Sequence, residues 1–194
     1  MKILIIGAGG IIGKKVTEEL SKRNEIIKAG RNADVKVDIE SADSIEAMFE
    51  KLGNIDACVI AAGSVYFGDF RTMTEENMYA GIKSKLMGQV NTVLIGQKYV
   101  KDSFTLTSGI LSDDPVKHSA SAALVNGGLN SFVIGASREL ITRINIVSPG
   151  VVEDSAKIYE GFFPGHIPAE MRKVVAAYVK SVEGCATGEI IKVY

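Results

Sequence analysis

The chain opens on a short apolar run, Ile3–Ile6, that breaks directly into Gly7-Ala-Gly9-Gly10-Ile-Ile-Gly13. Helical spacing follows at once, with Ile12, Val16 and Leu20 on one face of Ile11–Lys22. A buried strand, a glycine turn and a helix in immediate succession form one half of a βαβ unit. Such a unit closes only by a right-handed crossover onto a parallel neighbour. The rest of the chain repeats the alternation. Short runs fall at Glu25–Ala29, Val35–Val37, Ile55–Ala61, Phe104–Thr107, Ile144–Val147 and Glu189–Val193. Longer helical segments fall at Ser41–Leu52, Thr74–Lys98, Val116–Thr142 and Ala169–Val182. Strands separated by helices predict an α/β fold: a doubly wound parallel sheet of about seven strands with helices on both faces. With 194 residues and neither linker nor repeat, residues 1–194 are expected to form a single domain.

Charge narrows the function classes. Lys and Arg number 22, Asp and Glu 23, so the net charge is −1 and no basic face for nucleic acid is expected. Two cysteines, Cys58 and Cys185, lack metal-ligand spacing, so no metal site is expected and a reducing cytoplasm is the expected location. No stretch reaches the ~18 apolar residues of a membrane span. The glycines interrupt the N-terminal apolar run, so it does not read as a signal peptide.

The glycine turn has a chemical use. Glycines let the backbone approach a pyrophosphate and let the helix pack close to the sheet, while free N–H groups at the helix start hold the phosphates. The spacing here is Gly7-x-x-Gly10-x-x-Gly13, and Ile12 stands where the stricter pattern has its last glycine. The second run ends in Lys28-Ala-Gly30-Arg31-Asn32. A chain that binds NAD usually carries an acid there for the ribose 2′-OH. Arg31 instead can take a 2′-phosphate, which favours NADP(H) over NAD(H). Arg31 can equally be a solvated loop charge.

These landmarks extend nearly end to end, and with them the sequence resembles the short-chain dehydrogenase/reductase family. Gly7, Gly10 and Gly13 resemble its glycine motif, with Ile12 beside them at the cofactor. Asp38-Ile39 resembles the pair that holds the adenine. Ala61-Ala62-Gly63 resembles its Asn-Ala-Gly motif, with alanine for asparagine. Pro149-Gly150-Val151 resembles the turn and backbone that support the nicotinamide. The resemblance implies a small-molecule substrate and a homodimer or homotetramer through the two long helices.

It also exposes a departure. Counting back from Glu139, the family's Tyr-x-x-x-Lys falls on Ala122 and Asn126, and its asparagine falls on Lys85. The family's serine falls at Gly109, or at Ser108 with one gap in the intervening loop, which is then one residue longer here than in the family. The pattern resembles a compact bacterial subgroup without the usual Tyr and Lys. Ser108 and Lys85 are therefore the candidate catalytic pair, Lys85 as a displaced cation or else as a surface lysine. His118, Tyr66 and His166 are further candidates, each equally readable as a loop or pocket residue. Phe162, Phe163 and Tyr159 resemble an apolar substrate lid. Two functions remain open: an NADP(H)-dependent oxidoreductase of a small carbonyl, alcohol or quinone with a non-standard proton donor, or a non-catalytic NADP(H)-binding sensor or docking module.

Overall fold

The computed structural model describes residues 1–194. Six parallel strands form one sheet: β1 (Lys2–Ile6), β2 (Glu25–Ala29), β3 (Ile55–Ile60), β4 (Val100–Thr107), β5 (Arg143–Pro149) and β6 (Ile190–Val193). Their order across the sheet is β2-β1-β3-β4-β5-β6. The helices are α1 (Ile11–Leu20), α2 (Ala42–Leu52), α3 (Glu75–Gly81), α4 (Gly88–Gly96), α5 (Ala120–Ala136) and α6 (Met171–Glu183). A π-helical segment, Ile82–Met87, joins α3 to α4.

Period-two alternation along the strands sorts the side chains into two cores. Ile3 and Ile5 of β1 and Ala57 and Val59 of β3 face Val16 and Leu20 of α1 and Val174 and Tyr178 of α6. Leu4, Ile6, Cys58 and Ile60 face the other way, against Phe49 of α2, Val93 of α4 and Leu129 of α5. Helices on both faces of a parallel sheet give the expected doubly wound architecture. No helix is long and apolar enough to cross a membrane.

Three sequence expectations need correction. The sheet has six strands rather than about seven, because Val35–Val37 makes a single bridge, Val35 to Ala29, and then leaves. Residues 30–34 are too few for the crossover of a dozen or more residues that a parallel neighbour of β2 requires. Val37 instead becomes a core plug, buried among Leu4, Ile6 and Ile39. The helix expected over Val116–Thr142 is shorter at both ends. His118 takes a left-handed φ of 70° and Ser119 Oγ turns back to donate to the Val116 carbonyl, so α5 starts at Ala120. At the other end Ser137 Oγ donates to the Ile134 carbonyl, and the chain turns toward β5. Finally, β4 starts at Val100, four residues before the apolar run, because its first residues pair beside β3 at the sheet's N-terminal edge.

From β1 the chain crosses to β2 on one side, and from β2 it returns to β3 on the other. The strand order therefore reverses between β1 and β3, and a crevice opens over their carboxyl ends.

Candidate active site

The crevice has two connected chambers that share Gly10, Ala61, Gly63 and Ser64. The smaller, about 310 Å³, lies over β1, β2 and the start of α2. The larger, about 750 Å³, lies over β4, β5 and the segment that follows β5.

Gly7 sits at the reversal point with φ of 88°, and a Cβ there would lie 2.4 Å from the Ala61 carbonyl oxygen. Only glycine lets β1 and β3 end this close together. Gly10 precedes α1 with no side-chain cap, and the first turn of α1 carries no acid. The N–H groups at this helix start therefore face the crevice with a positive end free for an anion. Gly13 lines neither chamber. A Cβ on it would lie 2.0 Å from the Gly7 carbonyl oxygen, so it lets α1 pack on the turn rather than touching a ligand. Ile12 lines the larger chamber.

Arg31 is exposed on the rim of the smaller chamber and makes no hydrogen bond or ion pair within the chain. Asp38 and Ile39 line the same chamber, and so does Glu40, which the sequence reading missed. Asp38 spends one oxygen on the Glu40 N–H at 3.0 Å and leaves the other free. Ala61 and Ala62 complete the floor. These residues fit the adenosine half of a dinucleotide. The glycine cradle fits its pyrophosphate. Pro149, Gly150 and Val151 line the larger chamber, where the other half would lie.

Lys85 enters the larger chamber from the π-helical segment, a rare geometry that often marks function. The loop after β3 runs directly over it: a Cβ on Gly63 would lie 2.6 Å from Lys85 Cα. Ser84 fixes that loop by accepting from the Ser64 N–H at 3.2 Å. Lys85 Nζ donates to the Ser108 carbonyl at 2.9 Å and to Asn126 Oδ1 at 2.8 Å. Two of its three protons are thus placed, and one remains. Burial in this apolar chamber pushes its pKa down to about 8. Lys85 is therefore not a surface lysine. The Ser108 hydroxyl is enclosed and has no partner.

Asn126 has a partner that fixes its orientation. A lysine only donates, so the amide must turn Oδ1 toward Lys85, and Nδ2 is left without a partner in the chain. Gly109 lies beside it: a Cβ there would come within 3.1 Å of Asn126 Nδ2. Lys85 and Asn126, the positions where the resemblance expects the family's asparagine and lysine, thus meet across the chamber. Ala122, where the resemblance expects the tyrosine, is 1% exposed and lines the chamber with a methyl group.

Of the remaining candidates, Tyr66 and His118 line neither chamber. Tyr66 folds over Gly68, and the His118 carbonyl accepts the Gly68 N–H. The neighbouring Phe67 faces the chamber instead. His166 lies outside, beside Phe163 and 3.6 Å from Asp114. Tyr159, Phe162 and Phe163 line the chamber as expected of an apolar cover.

Gln89 supports the floor and has no signature in the sequence. β3 and β4 pair as far as Val59 and Thr105 and then part. Beyond that point the wholly buried Gln89 amide donates to the Thr107 carbonyl and accepts the Thr107 N–H, each at 2.9 Å. It replaces a strand neighbour where the crevice must open. Thr107 Oγ1 donates to the Ile60 carbonyl at 2.7 Å and meets the Tyr178 hydroxyl at 2.6 Å.

A family model described as enoyl-(acyl carrier protein) reductase matches residues 8–179. No curated protein matches the chain. Among solved structures, the protein lin1944 from Listeria innocua is 47% identical over 100% of both chains, with a TM-score of 0.98. A small-chain dehydrogenase is 25% identical over 99% of this chain and 95% of its own, with a TM-score of 0.85. A small-chain dehydrogenase in complex with NADPH shares the fold at 24% identity, with the same coverage and a TM-score of 0.87. The reversal-point crevice, its glycine cradle and a family match across most of the sequence agree, and the chain belongs to the short-chain dehydrogenase/reductase family.

Proposed function

We propose that the protein is an NADP(H)-dependent oxidoreductase of a small carbonyl or alcohol, with Lys85 as proton donor in place of the family's tyrosine. The observation that carries this reading is the pair formed by Lys85 Nζ and Asn126 Oδ1 at 2.8 Å in the wall of the larger chamber. When bound, the nicotinamide supplies the hydride. The chain's own groups do the rest. The free Asn126 Nδ2 and the third Lys85 proton can meet a carbonyl oxygen where negative charge develops. The ammonium then gives its proton to that oxygen. Its lowered pKa, about 8, makes it a better acid at neutral pH than an ordinary lysine. Ser108 holds the ammonium through its backbone carbonyl, so the hydroxyl that guided the sequence reading is the less used of its two groups.

The preference for NADP(H) over NAD(H) rests on Arg31, unpaired at the rim of the adenosine chamber, and on the absence of an acid at the end of β2. The NADPH bound by a protein of the same fold agrees with it. The free thiols Cys58 and Cys185 suit a reducing cytoplasm. Exposed Leu94 on α4 and Leu124 and Ile134 on α5 favour an isologous dimer through these helices, which sedimentation at micromolar concentration tests.

The test is NADPH titration followed by a turnover screen on ketones and quinones. NADPH consumption coupled to carbonyl loss supports the reading. One observation favours the other function, a non-catalytic NADP(H)-binding module: Ala122 contributes no hydroxyl to the chamber. NADPH binding with no turnover over a broad screen would establish that alternative.

A further inference from the structure

The larger chamber is chemically lopsided. Lys85 is the only charged residue in its lining. Beyond it the wall is apolar: Phe67 from the loop after β3, Ile110 and Leu111 from the turn after β4, and Ile158, Phe162 and Phe163 from the segment after β5. That last segment is a loop with a firm neck. The Glu153 N–H donates to the Ala169 carbonyl at 3.1 Å, and the Ala169 N–H donates to the Val151 carbonyl at 2.8 Å. Glu153 Oε1 accepts the Met171 N–H at 3.1 Å, which ties the neck to the start of α6. The aromatic rings of the loop are thereby held over the chamber. Phe67 and Phe162 meet edge to face, with ring centroids 6.2 Å apart and planes at 87°. Tyr159 and Phe163 do the same at 6.0 Å and 80°.

Resting on the oxidoreductase reading above, we infer that the substrate is an uncharged aromatic carbonyl compound, with its ring body held among Phe67, Phe162 and Phe163 and its carbonyl at Lys85 and Asn126. Rings with their edges and faces presented at right angles accept a further flat ring in the geometry aromatic pairs prefer. A carboxylate or phosphate on that body would lose its hydration with no cation to replace it, since Lys85 lies at the carbonyl end with two of its three protons already placed. The chamber, about 750 Å³, lies in the range of drug-sized ligand sites and also has to take the nicotinamide. In the reaction the carbonyl carbon gains hydride from NADPH, its oxygen gains the Lys85 proton, solvent reprotonates Lys85, and NADP⁺ and the alcohol leave. Phe67 and Phe162 set specificity without touching the reacting atoms.

The experiment compares 2-acetylnaphthalene with its 6-carboxylate by calorimetry on the full chain loaded with NADP⁺, which cannot reduce the ketone during the titration, and follows NADPH consumption separately. The neutral ketone is expected to bind, and the carboxylate at least about tenfold more weakly. Phe162→Ala and Phe67→Ala should each weaken the neutral ketone by about tenfold and leave NADPH affinity unchanged, because one aromatic contact is lost from a site that otherwise persists. Equal or tighter binding of the carboxylate overturns the inference. So does an absence of ketone binding, or no effect of either substitution. The two readings fail separately. If the ketone binds as expected but NADPH is never consumed, the ligand class stands and the oxidoreductase reading falls. If NADPH is consumed with a short hydroxy or keto acid in preference to the ketone, the oxidoreductase reading stands and the aromatic class falls.

Discussion

The two ends of the crevice are built on opposite principles. At the phosphate end the working groups are backbone: the turn from Gly7 to Gly13 and the start of α1 lie within one short stretch of chain. At the carbonyl end they are side chains from separate elements: Lys85 from the π-helical segment, Asn126 from α5 and the Ser108 carbonyl after β4. A backbone cradle depends on glycine at particular positions and tolerates little else. A side-chain cluster needs only that its members meet in space, as Lys85 and Asn126 do from two different helical segments. The first end is therefore legible as a motif, and the second is legible only as a gap in one.

Five substitutions at four positions test this contrast. The largest effect is expected at the carbonyl end. Lys85→Ala should lower turnover by ~10²–10⁴-fold while NADPH affinity stays within a few-fold, as measured by steady-state kinetics beside NADPH titration. An equal loss of both would place Lys85 in ground-state binding alone. In the unsubstituted protein the rate of carbonyl reduction should fall about tenfold per pH unit above about 8, where the ammonium loses its proton. The same depressed pKa makes the folded state bind fewer protons than the unfolded chain between about 8 and the ordinary lysine value of 10.5. Stability should rise with pH through that window, and Lys85→Met should abolish the rise in denaturant titrations.

At the phosphate end, Gly13→Ala should cost ~2–4 kcal/mol and abolish NADPH binding, because its Cβ would lie 2.0 Å from the Gly7 carbonyl oxygen and α1 would have to lift off the turn. Thermal unfolding with and without NADPH checks both effects. Between the two ends, Gln89→Ala should cost ~2–3 kcal/mol in denaturant unfolding, since it strands the Thr107 N–H and carbonyl in the core. The smallest effect is expected at the rim. Arg31→Ala should weaken NADPH by about tenfold and leave NADH nearly unchanged, the loss of one charge-assisted phosphate contact. Equal affinity for the two cofactors before substitution would remove Arg31 from the argument.

The sequence alone determined the parallel, doubly wound α/β class and the glycine turn that opens α1. Each rests on local pattern: apolar runs of strand length, helical spacing and glycines at a strand-to-helix turn. By counting along the helices it also brought Lys85 and Asn126 forward as residues standing where the resemblance puts the family's asparagine and lysine. Tertiary structure decided the rest. It removed Val35–Val37 from the sheet, because an apolar run too close to β2 for a crossover can plug the core without pairing. It assigned Gly13 to packing, since which neighbour a glycine meets depends on how α1 lies against the turn. It turned Tyr66 away and Phe67 inward, a choice made by one residue of loop register. It showed Asn126 as the partner that orients Lys85, and Gln89 as the stand-in for a strand. Both hydrogen bonds join residues far apart in the chain, and such bonds leave no periodicity in the sequence because they exist only once the sheet and its helices have brought their ends together.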